Sequence, residues 1–214
     1  MNSKYQNTKI LFTSSGAVYG KRVYKKKIKE NDLVNLNNVK KFTGYKKDYA
    51  RSKIIMEREF IKISKRNFNV SIARLFSFIG KKILINKSFA ITDLIQQAKD
   101  KKTNQIKIND NKNVYRGFMD SSDLIEWLIK ILINSSKRCD IYNVGSSKSI
   151  TIKNLANILA KKFNKKVVIN NNIKSSKIVK DIDYYVPSIL KAKKKLKLEL
   201  KFNIHQSINR LLKN

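Results

Sequence analysis

A phenol, an ammonium and a hydroxyl, on Tyr49, Lys53 and Ser15, are the groups in this chain best suited to moving a proton. Tyr49-Ala50-Arg51-Ser52-Lys53 spaces the first two by four residues, so a helix over 47–65 puts them on one face, one turn apart. A free tyrosine titrates near pH ~10, too high for a general base at neutral pH, and a fixed cation beside it favours the phenolate. A serine hydroxyl can then carry the proton between substrate and phenol. Ser15 lies upstream, in Ser14-Ser15-Gly16-Ala17-Val18-Tyr19-Gly20. In a lysine-rich chain a Tyr-x-x-x-Lys string also describes an exposed helix face, so its surroundings must decide.

Those surroundings read as alternating strands and helices. Lys9-Ile10-Leu11-Phe12-Thr13 is a short buried strand, and Ser14, Ser15 and Gly16 follow at its carboxyl end, where ligands bind in open α/β sheets. A second apolar run, Val70 to Phe76, follows the Tyr/Lys helix and ends in Ser77-Phe78-Ile79-Gly80. Strand, long loop, helix, strand is the order a parallel sheet requires. The loop from Lys21 to Lys47 is basic, contains Gly44 and has no proline. Farther on, a helix is predicted from Phe89 to Lys101 with Phe89, Leu94, Ile95 and Ala98 inward, then a strand from Gln105 to Ile108. Ser121, Ser122 and Asp123 are good starters for a helix running to Asn134. Tyr142 to Gly145 returns to the sheet, and Ile150–Phe163 and Ile204–Leu212 are amphipathic helices.

Composition narrows the class. The 214 residues, 42% of them hydrophobic, suffice for one large or two small domains. No apolar run approaches the roughly eighteen residues a membrane helix needs, and the amino terminus lacks the apolar stretch of a signal peptide, so a cytoplasmic location is expected. A single cysteine, Cys139, excludes an intramolecular disulfide, and with a single histidine, His205, no metal site is expected. Cys139 reads as a packed or edge thiol, and His205 as structural or solvated. The net charge of +33 suggests nucleic acid, yet only eight of the 48 basic residues are Arg, and the lysines are spread along the chain. No helix-turn-helix, RNA-binding aromatic pair or zinc module is evident, so nucleic acid is not the expected partner. The charge should still draw in anionic ligands.

Four stretches carry a resemblance: TSSGAVYG (13–20), YARSKIIMERE (49–59), IARLFSFIG (72–80), and YRGFMDSSDLIEWLIKIL (115–132) followed by IYNVGSS (141–147). With Tyr185-Val186-Pro187-Ser188 and Lys191 to Leu196 as a closing pattern, the chain resembles the carboxyl-terminal two-thirds of an NAD-dependent epimerase/dehydratase, an extended short-chain dehydrogenase/reductase acting on nucleotide sugars. The resemblance implies an α/β fold: an incomplete Rossmann-like parallel sheet, its carboxyl-terminal half, with a smaller α/β substrate-binding domain. Residues 1–80 would supply the sheet, and 81–214 would be mostly substrate domain, with a strand near 141–144 returning.

Carried over residue by residue, the resemblance makes Ser15 the catalytic Ser/Thr, Tyr49 the acid/base, and Lys53 the group that bonds the nicotinamide ribose and depresses the phenol's pKa. Ser14, Tyr49, Lys53 and Phe76 would meet NAD or NADP. Ser77, often Asn in the family, Asn86, Ser88, Phe89 and Arg116 would meet a nucleotide-diphosphate sugar, Arg116 through the diphosphate. Arg74, Asp123 and Trp127 read as structural. The interval from Ser15 to Tyr49 is longer than usual for the family.

Two departures shape the expected reaction. Sugar dehydratases of the family usually follow the catalytic Ser/Thr with Asp-Glu, whereas this chain has Gly16-Ala17, which cannot transfer protons. A C4 epimerase or keto-sugar reductase is therefore expected, needing only hydride exchange with the nicotinamide and one proton transfer through Tyr49. The six glycines, Gly16, Gly20, Gly44, Gly80, Gly117 and Gly145, do not make the G-x-x-G-x-x-G turn that holds a dinucleotide pyrophosphate. The first four strands of such a fold, about one hundred residues, are expected to be absent. A truncated or split form is expected, its NAD-binding half supplied by a separate chain, with homo-oligomerisation the other way to cover the open sheet. The alternatives are a dehydratase or decarboxylase of the same family, an inactive relic, and a basic binding protein.

Overall fold

The apolar run near the amino terminus forms β1 (Lys9–Ser15), with Ile10 and Phe12 facing one side of the sheet and Leu11 the other. The computed structural model describes residues 7–21, 25–34, 36–81, 90–108, 113–169 and 182–212. A single 3-10 turn, Gly16–Tyr19, follows β1 and ends at Gly20, whose φ of 71° is one that glycine adopts without strain. The long basic loop contains α1 (Leu36–Val39) and reaches α2 (Tyr45–Ser64), the helix of the Tyr/Lys pair. The chain then enters β2 (Asn69–Leu75).

Beyond β2 come β3 (Phe78–Ile79), α3 (Ala90–Lys99), β4 (Gln105–Ile108), β5 (Asn113–Arg116) and β6 (Met119–Asp120). Next are α4 (Ser121–Ile133), β7 (Asp140–Val144), β8 (Ile150–Thr151) and α5 (Ile152–Lys162). The chain closes with β9 (Lys166–Ile169), β10 (Ile182–Tyr185), α6 (Leu190–Leu196) and α7 (Ile204–Leu212).

Strands β1, β2 and β7 make a parallel sheet in that order, with Thr13 opposite Ala73 and Ala73 opposite Tyr142. The central strand is the one with both faces covered: Val70 through Arg74 are all buried. On one face α2 packs Phe60, Ile61 and Ile63 against Ile10, Phe12, Val70 and Ile72. On the other, Leu124, Trp127 and Ile131 of α4 pack with Ala73, Tyr142, Val144 and the α6 residues Ala192 and Leu196. Each fully buried aliphatic side chain here contributes about 1.5–3 kcal/mol relative to exposure. A second core joins α3, β4, α5 and α7 through Ile91, Leu94, Ile106, Leu155, Leu159 and Ile208. Beside it β5 lies between β10, parallel, and β8, antiparallel.

Two helix starts differ in detail from the sequence expectation. Asp120 caps α4, its carboxylate accepting from the Ser122 N–H at 2.9 Å. Asp123 is thereby left to accept from the Lys201 and Phe202 backbone N–H groups at 3.1 and 3.2 Å, tying the carboxyl-terminal segment to α4. Ile150 and Thr151 are strand rather than helix, because they pair with Arg116 and Tyr115, and α5 starts after Thr151 caps it through the Asn154 N–H at 3.0 Å. Trp127 is buried and donates to the Glu199 carbonyl at 3.0 Å, a structural role as expected. His205 is exposed on α7, and Cys139 is buried beside the main sheet.

Candidate active site

Helix α2 docks against the carboxyl end of β1 through Lys53 and Glu57. The Lys53 ammonium donates to the Thr13 carbonyl at 2.9 Å and stands 5.1 Å from the Phe12 ring centroid and 5.7 Å from that of Tyr49. Tyr49, one turn earlier, is half-buried and stacks on exposed Tyr45 with ring centroids 6.0 Å apart. Two residues past Thr13, buried Ser15 caps the 3-10 turn, its hydroxyl oxygen accepting from the Ala17 N–H at 3.2 Å. Acceptance through oxygen leaves the Ser15 hydrogen able to donate. The fold thus joins the Tyr49/Lys53 face to the strand end that carries Ser15.

A buried polar network lies behind these groups. Glu57, four residues beyond Lys53 on the same helix face, accepts from the Ser14 hydroxyl at 2.6 Å and from Arg74 Nε and Nη2 at 2.9 and 2.7 Å. Arg74 Nη1 donates to the Tyr19 hydroxyl at 2.7 Å, and Tyr19 donates to Asn143 Oδ1 at 2.8 Å. Asn143 Nδ2 in turn donates to the Ile28 carbonyl at 2.9 Å, so the network spans α2, all three strands of the main sheet and the basic loop. Burial pushes the Tyr19 phenol up to about 12, against the opposing pull of Arg74. Ser14, expected to meet the cofactor, is buried and its hydroxyl hydrogen is committed to Glu57. Arg74, read from the sequence as structural, is the hub of this network.

Phe76 is buried rather than presented to open space. Its ring packs on Tyr185 at a centroid distance of 4.6 Å and lies beside Gly16 and Gly145. A Cβ at Gly16 would fall 2.6 Å from the Tyr185 hydroxyl and 2.7 Å from Phe76 Cζ, so the phenol fills the room above the residue after Ser15. Burial pushes the Tyr185 phenol up, with the Ser15 hydroxyl and the Arg116 guanidinium acting in the opposite direction. Tyr185 thus joins the candidate site, which its sequence did not announce; its only signal was membership of the closing Tyr-Val-Pro-Ser pattern, 170 positions from Ser15.

Among the residues expected to bind substrate, Ser77 is half-buried, its carbonyl accepting from the Met119 N–H at 3.0 Å. Arg116 ends β5 with its guanidinium 5.5 Å from the Tyr185 ring centroid and in an ion pair with Asp183 at 2.7 Å. Asn86, Ser88 and Phe89 lie outside the described residues. An open cleft of about 800 Å³, lined by Lys99, Lys101, Lys102, Phe163, Lys165 and Leu212 among others, opens at the end of α3. Ser15, Tyr49 and Lys53 do not line it, and its Lys165 ammonium is occupied by the Gln97 and Asp100 carbonyls. Among the described residues no group of three His, Cys, Asp or Glu gathers to hold a metal, and no helix is long and apolar enough to cross a membrane.

A parallel sheet whose first strand ends in Ser15 and whose crossover helix carries Tyr49 and Lys53 defines a Rossmann-like α/β protein of the short-chain dehydrogenase/reductase type. The family model for the NAD dependent epimerase/dehydratase family matches residues 2–145, and the chain belongs to that family. Among solved structures, the chain is similar to RMD from Pseudomonas aeruginosa complexed with NADPH, with 23% identity and a TM-score of 0.74 over 94% of this chain and 64% of that one. It is also similar to a UDP-glucose 4-epimerase from Thermotoga maritima with UDP-glucose, with 16% identity and a TM-score of 0.73 over 95% of this chain and 62% of that one. A dTDP-glucose 4,6-dehydratase from Bacillus anthracis in complex with NAD gives 16% identity and a TM-score of 0.74 over 97% and 61%. These are likenesses of fold. The chain spans less than two thirds of the length of each, at 64, 62 and 61%.

Proposed function

We propose that this chain carries the proton-transfer and sugar-nucleotide part of an NAD(P)-dependent nucleotide-sugar epimerase or keto-sugar reductase, with the dinucleotide phosphates held by a glycine-rich half outside these residues. The observation that carries the reading is the Lys53–Thr13 hydrogen bond at 2.9 Å, which pins the Tyr49/Lys53 face to the strand ending in Ser15. Tyr49 is the acid/base, Ser15 relays the proton to or from a sugar oxygen, and Lys53 keeps two N–H donors for a ribose hydroxyl beyond the one given to Thr13. These residues fit the nicotinamide-ribose end of a dinucleotide. A bound nicotinamide would supply the hydride chemistry; the protein orients the sugar and moves the proton. The Gly16-Ala17 pair disfavours dehydration, and the packing of Tyr185 and Phe76 above Gly16 supports that choice, since the space for a carboxylate there is filled. The single free thiol is in keeping with a cytoplasmic enzyme.

Calorimetry on the purified chain tests the reading with UDP-glucose, dTDP-glucose and NAD(H), alone and after mixing with a glycine-rich Rossmann half. Nucleotide-sugar binding by the chain and NAD(H) binding by the mixture are expected. Silence toward both, with steeply salt-dependent binding of nucleic acid, would instead favour a basic binding protein on this scaffold.

A further inference from the structure

We propose that Asp183 is a positioning residue that aims the guanidinium of Arg116 at a diphosphate. The inference rests on the reading of Arg116 as the diphosphate ligand and adds a residue to it. Arg116 and Asp183 lie on the paired strands β5 and β10, where Tyr185 is opposite Arg116 and Asp183 opposite Val114. Arg116 and Asp183 are therefore diagonal neighbours, within reach of a long side chain.

Three bonds fix the guanidinium plane. Arg116 Nη1 donates to its neighbour's carbonyl on Tyr115 at 2.8 Å and to the Asp183 carbonyl at 3.3 Å, and Nη2 donates to Asp183 Oδ2 at 2.7 Å. Arginine has five N–H donors. The Nε–H and one Nη2–H have no hydrogen-bond partner among the described residues, so two donors of the guanidinium remain for an anion. A carboxylate acting as a competitor would take a guanidinium fork with both oxygens. Asp183 uses one carboxylate oxygen and leaves the Nε–H open. The pair is partly exposed, at 23% for Arg116 and 35% for Asp183, so solvent reaches the guanidinium and screens the carboxylate's charge.

Removing Asp183 has opposite consequences under the two roles. Simple electrostatics says that loss of a negative charge beside an anion site tightens anion binding. Loss of aim says the reverse, because the guanidinium must then be ordered by the ligand, which weakens binding by about three- to tenfold. UDP is the probe, titrated by calorimetry into the wild-type chain, Asp183→Ala and Asp183→Asn. The expected result is weaker UDP binding in Asp183→Ala by about that factor, with most of the affinity restored in Asp183→Asn, which keeps an acceptor oxygen without the charge. Unchanged or tighter binding by Asp183→Ala overturns the proposal. So does equal weakening in both variants together with a lowered unfolding midpoint, which marks a merely structural strand contact. A wild-type chain that itself fails to bind UDP sinks the functional reading, and this inference with it; that outcome is recognised before any variant is made.

Discussion

Glu57 grips Arg74 through both carboxylate oxygens, with N–O distances of 2.9 and 2.7 Å, and the two side chains are only 4 and 5% exposed. The pair joins the Tyr/Lys helix to the central strand and takes in the Ser14 hydroxyl and, through Arg74, Tyr19. Breaking a buried pair by removing one partner leaves an uncompensated charge, at a cost of about 3–5 kcal/mol. Glu57→Ala should therefore lower the unfolding free energy by about that amount in urea denaturation, while Glu59→Ala, whose carboxylate pairs with Lys62 at the surface, should change it by less than ~0.5 kcal/mol.

Tyr49→Phe keeps the ring stacked on Tyr45 and deletes the phenol. On the proposed function, turnover measured with a glycine-rich half present should fall by about 10²- to 10⁴-fold with little change in the melting temperature. Lys53→Met should fall comparably and also loosen α2 from β1, because it deletes the bond to the Thr13 carbonyl. Steady-state kinetics beside thermal unfolding separates the two.

Gly16→Asp tests why the acidic residue of sugar dehydratases is missing. Its Cβ would meet the Tyr185 hydroxyl at 2.6 Å and Phe76 Cε1 at 2.8 Å. The variant should lose about 1–3 kcal/mol from overpacking and gain no elimination of water from a dTDP-hexose, as read by product chromatography. A stable, dehydrating variant would contradict the packing seen here.

Alkaline pH should weaken the fold through its buried phenols. Burial raises both Tyr19 and Tyr142 from 10.0 to about 12. Below pH ~10 the phenols are protonated in both states and their contribution is fully present. Between about 10 and 12 the unfolded chain releases protons that the folded chain retains, so stability falls as pH rises, by at most about 1.4 kcal/mol per pH unit for each tyrosine. Urea midpoints from pH 9 to 11.5 should show this slope, and Tyr142→Phe should flatten it.

Ile125, Ile129 and Ile133 recur every fourth residue on α4 and are 59, 53 and 57% exposed. Strand β1 also has no neighbour on its outer side among the described residues. An apolar stripe beside an open strand edge favours association. Sedimentation at micromolar concentration should find self-association, or capture of an added glycine-rich half, and Ile129→Lys should shift the balance toward the monomer. A monomeric wild type that melts sharply would contradict this.

Local pattern made much of this molecule legible. The run of apolar residues in 9–13 and 70–76, and the four-residue spacing of Tyr49 and Lys53, are encoded in neighbours along the chain, and the strands and α2 form where those patterns stand. The bonds of Asp183 to Arg116 and of Tyr19 to Asn143 join residues 67 and 124 positions apart, and no local pattern announces them. Buried charges are also misread easily: Glu57 and Arg74 have the composition of surface residues, and only their mutual pairing makes the interior tolerable.

The sequence by itself determined the parallel α/β order, the Tyr49/Lys53 face, the serine at a strand end and the absence of protonatable groups at 16 and 17, because each depends on residue type and short-range periodicity. Tertiary structure alone decided that Ser14 turns inward to Glu57, that Tyr185 roofs Gly16 and that Arg116 is held by Asp183. Those outcomes depend on which strands become neighbours and how tightly they pack, and excluded volume and hydrogen-bond satisfaction settle them only once the whole chain has folded.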